Sequence, residues 1–239
     1  MTLIGFVYDP AILEKFPQTV GGLLHVTGII NRTADPDFLA AYQAEQQAVL
    51  EKLGQPPLSQ IEALAAWRRT LSAFGLDPTQ YRSAPEALLR RLQKKGDIPS
   101  INLLVDLGNW VSIRYALPIA AVDTRHINGL LRVHFADGAE RYTELGTSEV
   151  IHPEVGEVVF SDDDGLVFAR RWCWRQSAQS ASQLDTQAAI ITIEAQHPDG
   201  RATVEAAMHD LSHLIQHYLP GVEIQQALLD RETPLMSLG

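Results

Sequence analysis

From Ser100 to Tyr115 the chain reads as a helix that is apolar on nearly every side. A helix of that kind has to be enclosed by other elements, so the fold must supply cover around its whole circumference. At about 100° per residue, Asn102, Asp106 and Asn109 fall within one narrow arc, while Ile101, Leu103, Leu104, Val105, Leu107, Trp110 and Val111 cover the other directions. A buried polar group left without a partner costs about 1–3 kcal/mol, so this row has to be met by backbone, by water or by a ligand. It is either a structural network tying the helix to nearby loops or part of a binding site.

The 239 residues are enough for one large domain or two small ones, at about 150 residues each. No run approaches the ~18 consecutive apolar residues of a membrane span. The start, MTLIGFVYDP, lacks the basic region, apolar stretch and cleavage site of a signal peptide. A cytoplasmic protein without membrane contact is the expectation. The single cysteine, Cys173, excludes an internal disulfide framework and a cysteine-only metal site. A formal charge of −10 argues against indiscriminate nucleic-acid binding and against DNA as a partner, because such binding needs a strong positive field. Local basic clusters remain at Arg68-Arg69, at Arg90, Arg91, Lys94 and Lys95, and at Arg170, Arg171 and Arg175. Their first reading is a set of solvated faces.

Leu3 to Val7 and Leu23 to Ile30 are short apolar runs between turn residues, which predicts strands. Asp35-Pro36 opens a helix to about Leu53, closed by Gly54 and Pro56-Pro57. A second helix is expected from Ser59 to Phe74, with Ser59 and Glu62 at the spacing of a capping box. A third runs from near Pro85 to Gly96. Strands are expected at Leu130 to Phe135, Glu157 to Phe160, Leu166 to Trp174 and Ala188 to Ala195, and a final helix at about Thr203 to Leu219. Strict βαβ alternation and a Gly-rich phosphate loop are missing, so the class is α+β with antiparallel sheet rather than a dinucleotide fold.

If the segment Arg170 to Gln176 is a strand, Arg170, Trp172 and Trp174 share one face, and Arg171, Cys173 and Arg175 the other. Indoles beside guanidinium groups suit a stacked base together with a phosphate or carboxylate; they equally suit core tryptophans covered by arginine stems. His209, His213 and His217 have a metal-friendly spacing but lie opposite the apolar stripe of their helix, on its solvated side, and no metal or other cofactor is expected. The run Asp162-Asp163-Asp164-Gly165 reads as a tight turn. A lone cysteine such as Cys173 is first of all a packing residue.

Several blocks occur together in one order: N-x-x-x-D-x-x-N over Asn102, Asp106 and Asn109, then Leu117-Pro118 and Asp123, then Gly156 to Asp162 and the Asp164-Gly165 turn. In this combination the chain resembles the B3/B4 editing domain of the phenylalanyl-tRNA synthetase β subunit. Arg170 to Arg175 resembles the free-standing branch of that family. The likeness is strong over residues 98–195, and the first 95 residues fit only the free-standing branch. It implies a three-layer fold of mixed and antiparallel sheets flanked by helices, and one B3/B4-like domain over 1–239. Residues 1–97 would be its helical and strand lead-in and 98–195 its recognisable core.

The synthetase domain hydrolyses tyrosine wrongly attached to the phenylalanine tRNA, so the resemblance implies a trans-acting deacylase of a mischarged aminoacyl-tRNA, with tRNA as partner. Carried over by motif, Asn109 lines the amino-acid pocket, Pro118 shapes its wall and Asp123 is structural. Asp106 joins Asn109 as a candidate catalytic residue. Asn102, Trp172, Trp174 and Gln176 are candidates for substrate binding, and Arg171 and Arg175 for contact with tRNA. Ala120 stands where the synthetase has a histidine, and Gly108 where it has a threonine. Trp172-Cys173-Trp174 replaces its Gly-rich stretch, with Gln176 near the place of its pocket glutamate. Synthetase chemistry and tyrosine specificity therefore do not transfer. A non-catalytic RNA-binding module and a small-molecule or amino-acid binding protein are the alternatives.

Overall fold

The computed structural model describes residues 4–54 and 57–238. In chain order the elements are β1 (Ile4–Tyr8), α1 (Pro10–Lys15), β2 (Val20–Thr27), α2 (Pro36–Leu53), α3 (Glu62–Ala73), α4 (Ala84–Lys95), α5 (Leu103–Tyr115) and β3 (Ile119–Asp123). There follow β4 (Leu130–Phe135), β5 (Tyr142–Thr143), β6 (Val150–Ile151), β7 (Val158–Ser161), β8 (Val167–Arg170), β9 (Arg175–Gln176) and β10 (Ala188–Ala195). The last are α6 (Gly200–Tyr218), β11 (Glu223–Leu229) and β12 (Leu235–Leu238). The expected class, α+β with mixed and antiparallel sheets, is the one observed. Leu3 and Pro56, expected in a strand and at a helix end, lie outside the described residues.

Two sheets carry the structure. One has the order β12-β1-β4-β7-β8-β9, with β1 and β4 parallel and the other neighbours antiparallel. The other, β11-β2-β10-β3, is antiparallel throughout. Alternation along β10 sends Ala189, Ile191, Ile193 and Ala195 towards a core shared with α2, α4, α5 and α6. The opposite face gives Ile190 to a second core, against Phe6, Tyr8, Phe160 and Phe168 of the six-stranded sheet. Helices, four-stranded sheet and six-stranded sheet are therefore stacked as three layers. α5 is enclosed as its composition demands, with Leu103, Leu104, Leu107 and Val111 fully buried.

Local signals place some boundaries closely. Asp35 accepts a hydrogen bond from the Phe38 amide at 2.9 Å, Pro36 occupies the first turn, and Gly54 ends α2 with φ 56°. The capping box expected at Ser59 does not form. Residues 58–60 make a single 3₁₀ turn, Ile61 precedes α3 without a side-chain cap, and Glu62 instead pairs with Arg69 along the helix at 2.8 Å. The strand expected over Leu166 to Trp174 stops at Arg170, so the shared face of Arg170, Trp172 and Trp174 does not exist. β3 and β11 were not expected. The acidic run is a turn as read: Asp162 Oδ1 accepts from the amides of Asp164 and Leu166 at 3.1 and 2.9 Å.

Candidate functional site

Thr192 and Glu194 share the face of β10 that looks towards the six-stranded sheet. Both are almost wholly buried. Glu194 Oε1 accepts from the Tyr8 hydroxyl at 2.7 Å and from the Trp172 indole N–H at 2.9 Å. Tyr8 reaches this point because it lies against Gly21 of β2, where a Cβ would stand 2.8 Å from Tyr8 Cε2. Neither donor takes up Oε2, and Glu194 is one of the residues lining a cavity. Burial pushes the Glu194 carboxyl up to about 7, against the pull of its two hydrogen bonds. The same burial raises the Tyr8 hydroxyl, helped by the neighbouring carboxylate.

Trp172 gets its inward direction from a strained bend. Arg171 and Trp172 have φ of 51° and 60°, a left-handed conformation costing roughly 1–2 kcal/mol per residue without glycine. Glu157, 13 residues before Arg170, holds the bend. Its carboxylate grips the Arg170 guanidinium in a buried pair of contacts at 2.8 and 2.7 Å and accepts the Arg171 amide at 3.1 Å. The Trp172 amide donates to the Val158 carbonyl at 2.8 Å, and the Cys173 carbonyl accepts the Ala84 amide at 2.9 Å. The Trp172 ring then meets Trp67 and Phe16 edge-on, each at 5.3 Å. Trp174 is half-buried. The Arg171 and Arg175 guanidinium carbons lie 4.6 and 4.5 Å from its ring centre, and Tyr81 meets it edge-on at 5.3 Å. Arg175 also pairs with Glu144.

These pieces bound a cavity of about 390 Å³. Glu194 and Thr192 form its closed end, Pro118, Ile119, Ala120 and Phe160 give apolar walls, and Trp174, Arg175 and Arg91 stand towards solvent. Asn109, Trp172 and Gln176, singled out in the sequence, border it as well. Gln176 Nε2 donates to the Ala121 carbonyl at 3.1 Å, which fixes the amide and leaves its oxygen free. The Cys173 thiol lines the cavity too. Burial, then the nearby Glu194 carboxylate, push its pKa up, so it stays protonated rather than becoming a nucleophile.

Three candidates stand elsewhere. Asn102 is the N-cap of α5: its Oδ1 accepts the Val105 amide at 3.1 Å and the Asn31 side-chain amide at 3.0 Å, and its Nδ2 donates to the Ser182 carbonyl at 3.0 Å. Asp106 accepts the Ile101 amide at 2.9 Å and the Ser100 hydroxyl, and burial raises its carboxyl. The row seen in the sequence is thus split, Asn102 and Asp106 serving the helix start and only Asn109 reaching the cavity. Arg171 lies 3.8 Å over the Tyr81 ring and 3.7 Å from Glu157, outside the lining. Trp172 is fully buried where it borders the cavity, and its indole N–H is taken up by Glu194. Asp123 has the structural part expected of it, accepting from Arg125 and Thr186.

Glu194 and Thr192 escaped sequence reading, although two polar side chains at alternate positions of Ala188–Ala195 were the signal available. His209, His213 and His217 are exposed along α6, and no metal-binding group of three or more His, Cys, Asp or Glu side chains occurs among the described residues. No described helix is long and apolar enough to cross a membrane.

The family described as the B3/4 domain matches residues 66–227. The chain belongs to this family. Among the relatives of this B3/4 domain, the phenylalanine–tRNA ligase β subunit of Streptomyces avermitilis is 41% identical over 94 residues, which are 39% of this chain and 11% of the relative. That of Shewanella oneidensis is 25% identical over 215 residues, 90% of this chain and 26% of the relative. The B3/4 chain thus spans about a quarter or less of the length of these two relatives. A solved N-terminal fragment of the phenylalanyl-tRNA synthetase β-subunit from Pyrococcus horikoshii is 12% identical, with a TM-score of 0.48 over 92% of this chain and 50% of that one.

Proposed function

We propose that this B3/4 domain hydrolyses a mischarged aminoacyl-tRNA ester in trans, with the amino-acid side chain seated in the Glu194 cavity. The observation that carries the reading is the convergence of Asn109 and Pro118, the two pocket positions implied by the synthetase likeness, on the cavity that ends in Glu194. Glu194 sits at the closed end, so it meets the tip of the bound side chain rather than the ester nearer the mouth. Its unengaged oxygen accepts a hydrogen bond, which selects an amino acid ending in a donor group over an apolar isostere. Asn109 and Gln176, half-exposed and nearer solvent, are the amides that orient the ester and its attacking water. Asn109 is the donor for the developing oxyanion.

Purified protein mixed with a panel of tRNAs carrying wrong amino acids tests this. At least one ester whose amino acid ends in a donor should be released faster than in buffer, and Glu194→Ala should reduce that advantage at least tenfold. If every ester decays at the buffer rate, the deacylase reading fails. Ala120 on the cavity wall favours one other reading: no histidine is among the lining residues, so a non-catalytic tRNA-binding module would bind tRNA in a gel-shift without cleaving any ester.

A further inference from the structure

α4 turns Ala84, Ala87, Leu88 and Arg91 to the cavity, the i, i+3, i+4, i+7 spacing of a single helix face. Continued by the same steps, that face arrives at Lys94 and Lys95, both exposed, in the last turn before Gly96. The other side of the helix faces inwards through Leu89 and Leu92, together with Glu86. Glu86 Oε1 takes Arg68 and Arg90 at 2.8 Å each, and its buried Oε2 has no hydrogen-bond partner. Arg91 donates to the Asp97 carbonyl at 3.1 Å and pairs with the Asp97 carboxylate at 3.5 Å, both partners exposed. Lys94 and Lys95 enter no ion pair among the described residues, although the chain carries a net charge of −10.

The negative end of the helix dipole accounts for cations in a last turn. It does not account for their lying on the extension of the cavity-lining face. From Arg91 to Lys95 the helix rises about 6 Å, comparable with one nucleotide step of an extended strand.

We infer that this face of α4 is the track for the single-stranded acceptor end of the tRNA, with Lys94 and Lys95 meeting the backbone phosphates just outside the cavity and Arg91 at its mouth. The inference rests on the proposed function and adds a partner surface to it. It moves the principal phosphate contacts from the β8–β9 bend, where Arg175 is already paired with Glu144, to a helix in the first half of the chain.

The experiment is fluorescence anisotropy of 5′-labelled, uncharged tRNA across a potassium chloride series, for the wild type, the double variant Lys94→Ala/Lys95→Ala, and Arg231→Ala in the β11–β12 loop as a charge control. Each single-strand phosphate contact contributes about 0.7 to the slope of log K against log salt. The double variant should lower that slope by about 1.4 and weaken binding about tenfold at 100 mM salt, while Arg231→Ala changes neither. On tRNA lacking its 3′-terminal CCA, wild type and double variant should bind alike. An unchanged slope in the double variant, or an equal loss on the truncated tRNA, overturns the inference and leaves the deacylase reading standing if the wild type still cleaves its ester. A wild type that binds no tRNA at 50 mM salt overturns both.

Discussion

The start of α5 and the closed end of the cavity are built from the same materials, buried amides and carboxylates, yet their chemistry is opposite. At the helix start, Asn31, Asn102 and Asp106 are spent on architecture. Asn102 uses its oxygen twice and its nitrogen once, Asn31 accepts the Leu104 amide at 3.1 Å, and Asp106 takes an amide and a hydroxyl. At the cavity, Glu194 puts both of its donors on one oxygen and keeps the other. Burial alone therefore does not separate a scaffold from a site. What separates them is the acceptor capacity left over after the protein's own donors have been served.

The comparison can be broken by mutation. The largest effect should come from Asn102→Ala, which removes the α5 cap and leaves the Val105 amide and the Ser182 carbonyl without partners. Urea denaturation should show a loss of about 4 kcal/mol, the sum of a cap and the buried groups it strands. A loss under 1 kcal/mol would mean that the helix start is not the closed network described.

Next comes Glu194→Gln, whose carbonyl can still accept from Tyr8 and Trp172. Between its ordinary value of 4.5 and about 7, the folded protein holds a proton on Glu194 that the unfolded chain has released. Stability therefore falls as pH rises through this window and remains lower above it. The variant lacks that penalty. At pH 8 it should be more stable than wild type by an amount on the order of 3 kcal/mol, and at pH 4 the two should agree. Thermal melts at both pH values read the difference, and parallel curves across the range would show that Glu194 is not held near neutrality.

Trp174→Ala should have the smallest effect on stability, about 1 kcal/mol, because the ring is only half-buried and one of its two cationic partners, Arg175, is exposed. A loss above 3 kcal/mol would make Trp174 part of the core and not of the cavity rim.

Where the chain's local chemistry decides the structure, the sequence was readable. Asp35, Pro36 and Gly54 delimit α2 through caps and backbone preference, and the apolar circumference of α5 required the cover it receives. Where distant residues decide, it was not. β3 follows a proline and contains Ala120-Ala121, poor strand formers that are held in place by β10. β11, with Glu223, Gln225 and Gln226, is a polar edge strand defined by its pairing with β2. At the site, Asn109 and Pro118 were legible as a motif. The bend at Arg171-Trp172 was not, since two bulky residues enter the left-handed region only because Glu157 and Val158 hold their amides. Asn102 and Asp106 shared the helical arc with Asn109, but the arc ends at the helix cap and the cavity begins a turn later.

The pairing of β2 has a consequence for biogenesis. This strand, at residues 20–27, lies between β10 and β11, whose register partners are residues 188–195 and 223–229. It is synthesised well before both neighbours and can pair with them only once they have followed it. Pairings separated by such distances form slowly and leave apolar edges uncovered meanwhile. The edges of β2 therefore stay uncovered until β10 and β11 have been made, and the closed end of the cavity, which needs Tyr8 and Glu194 together, cannot form before then.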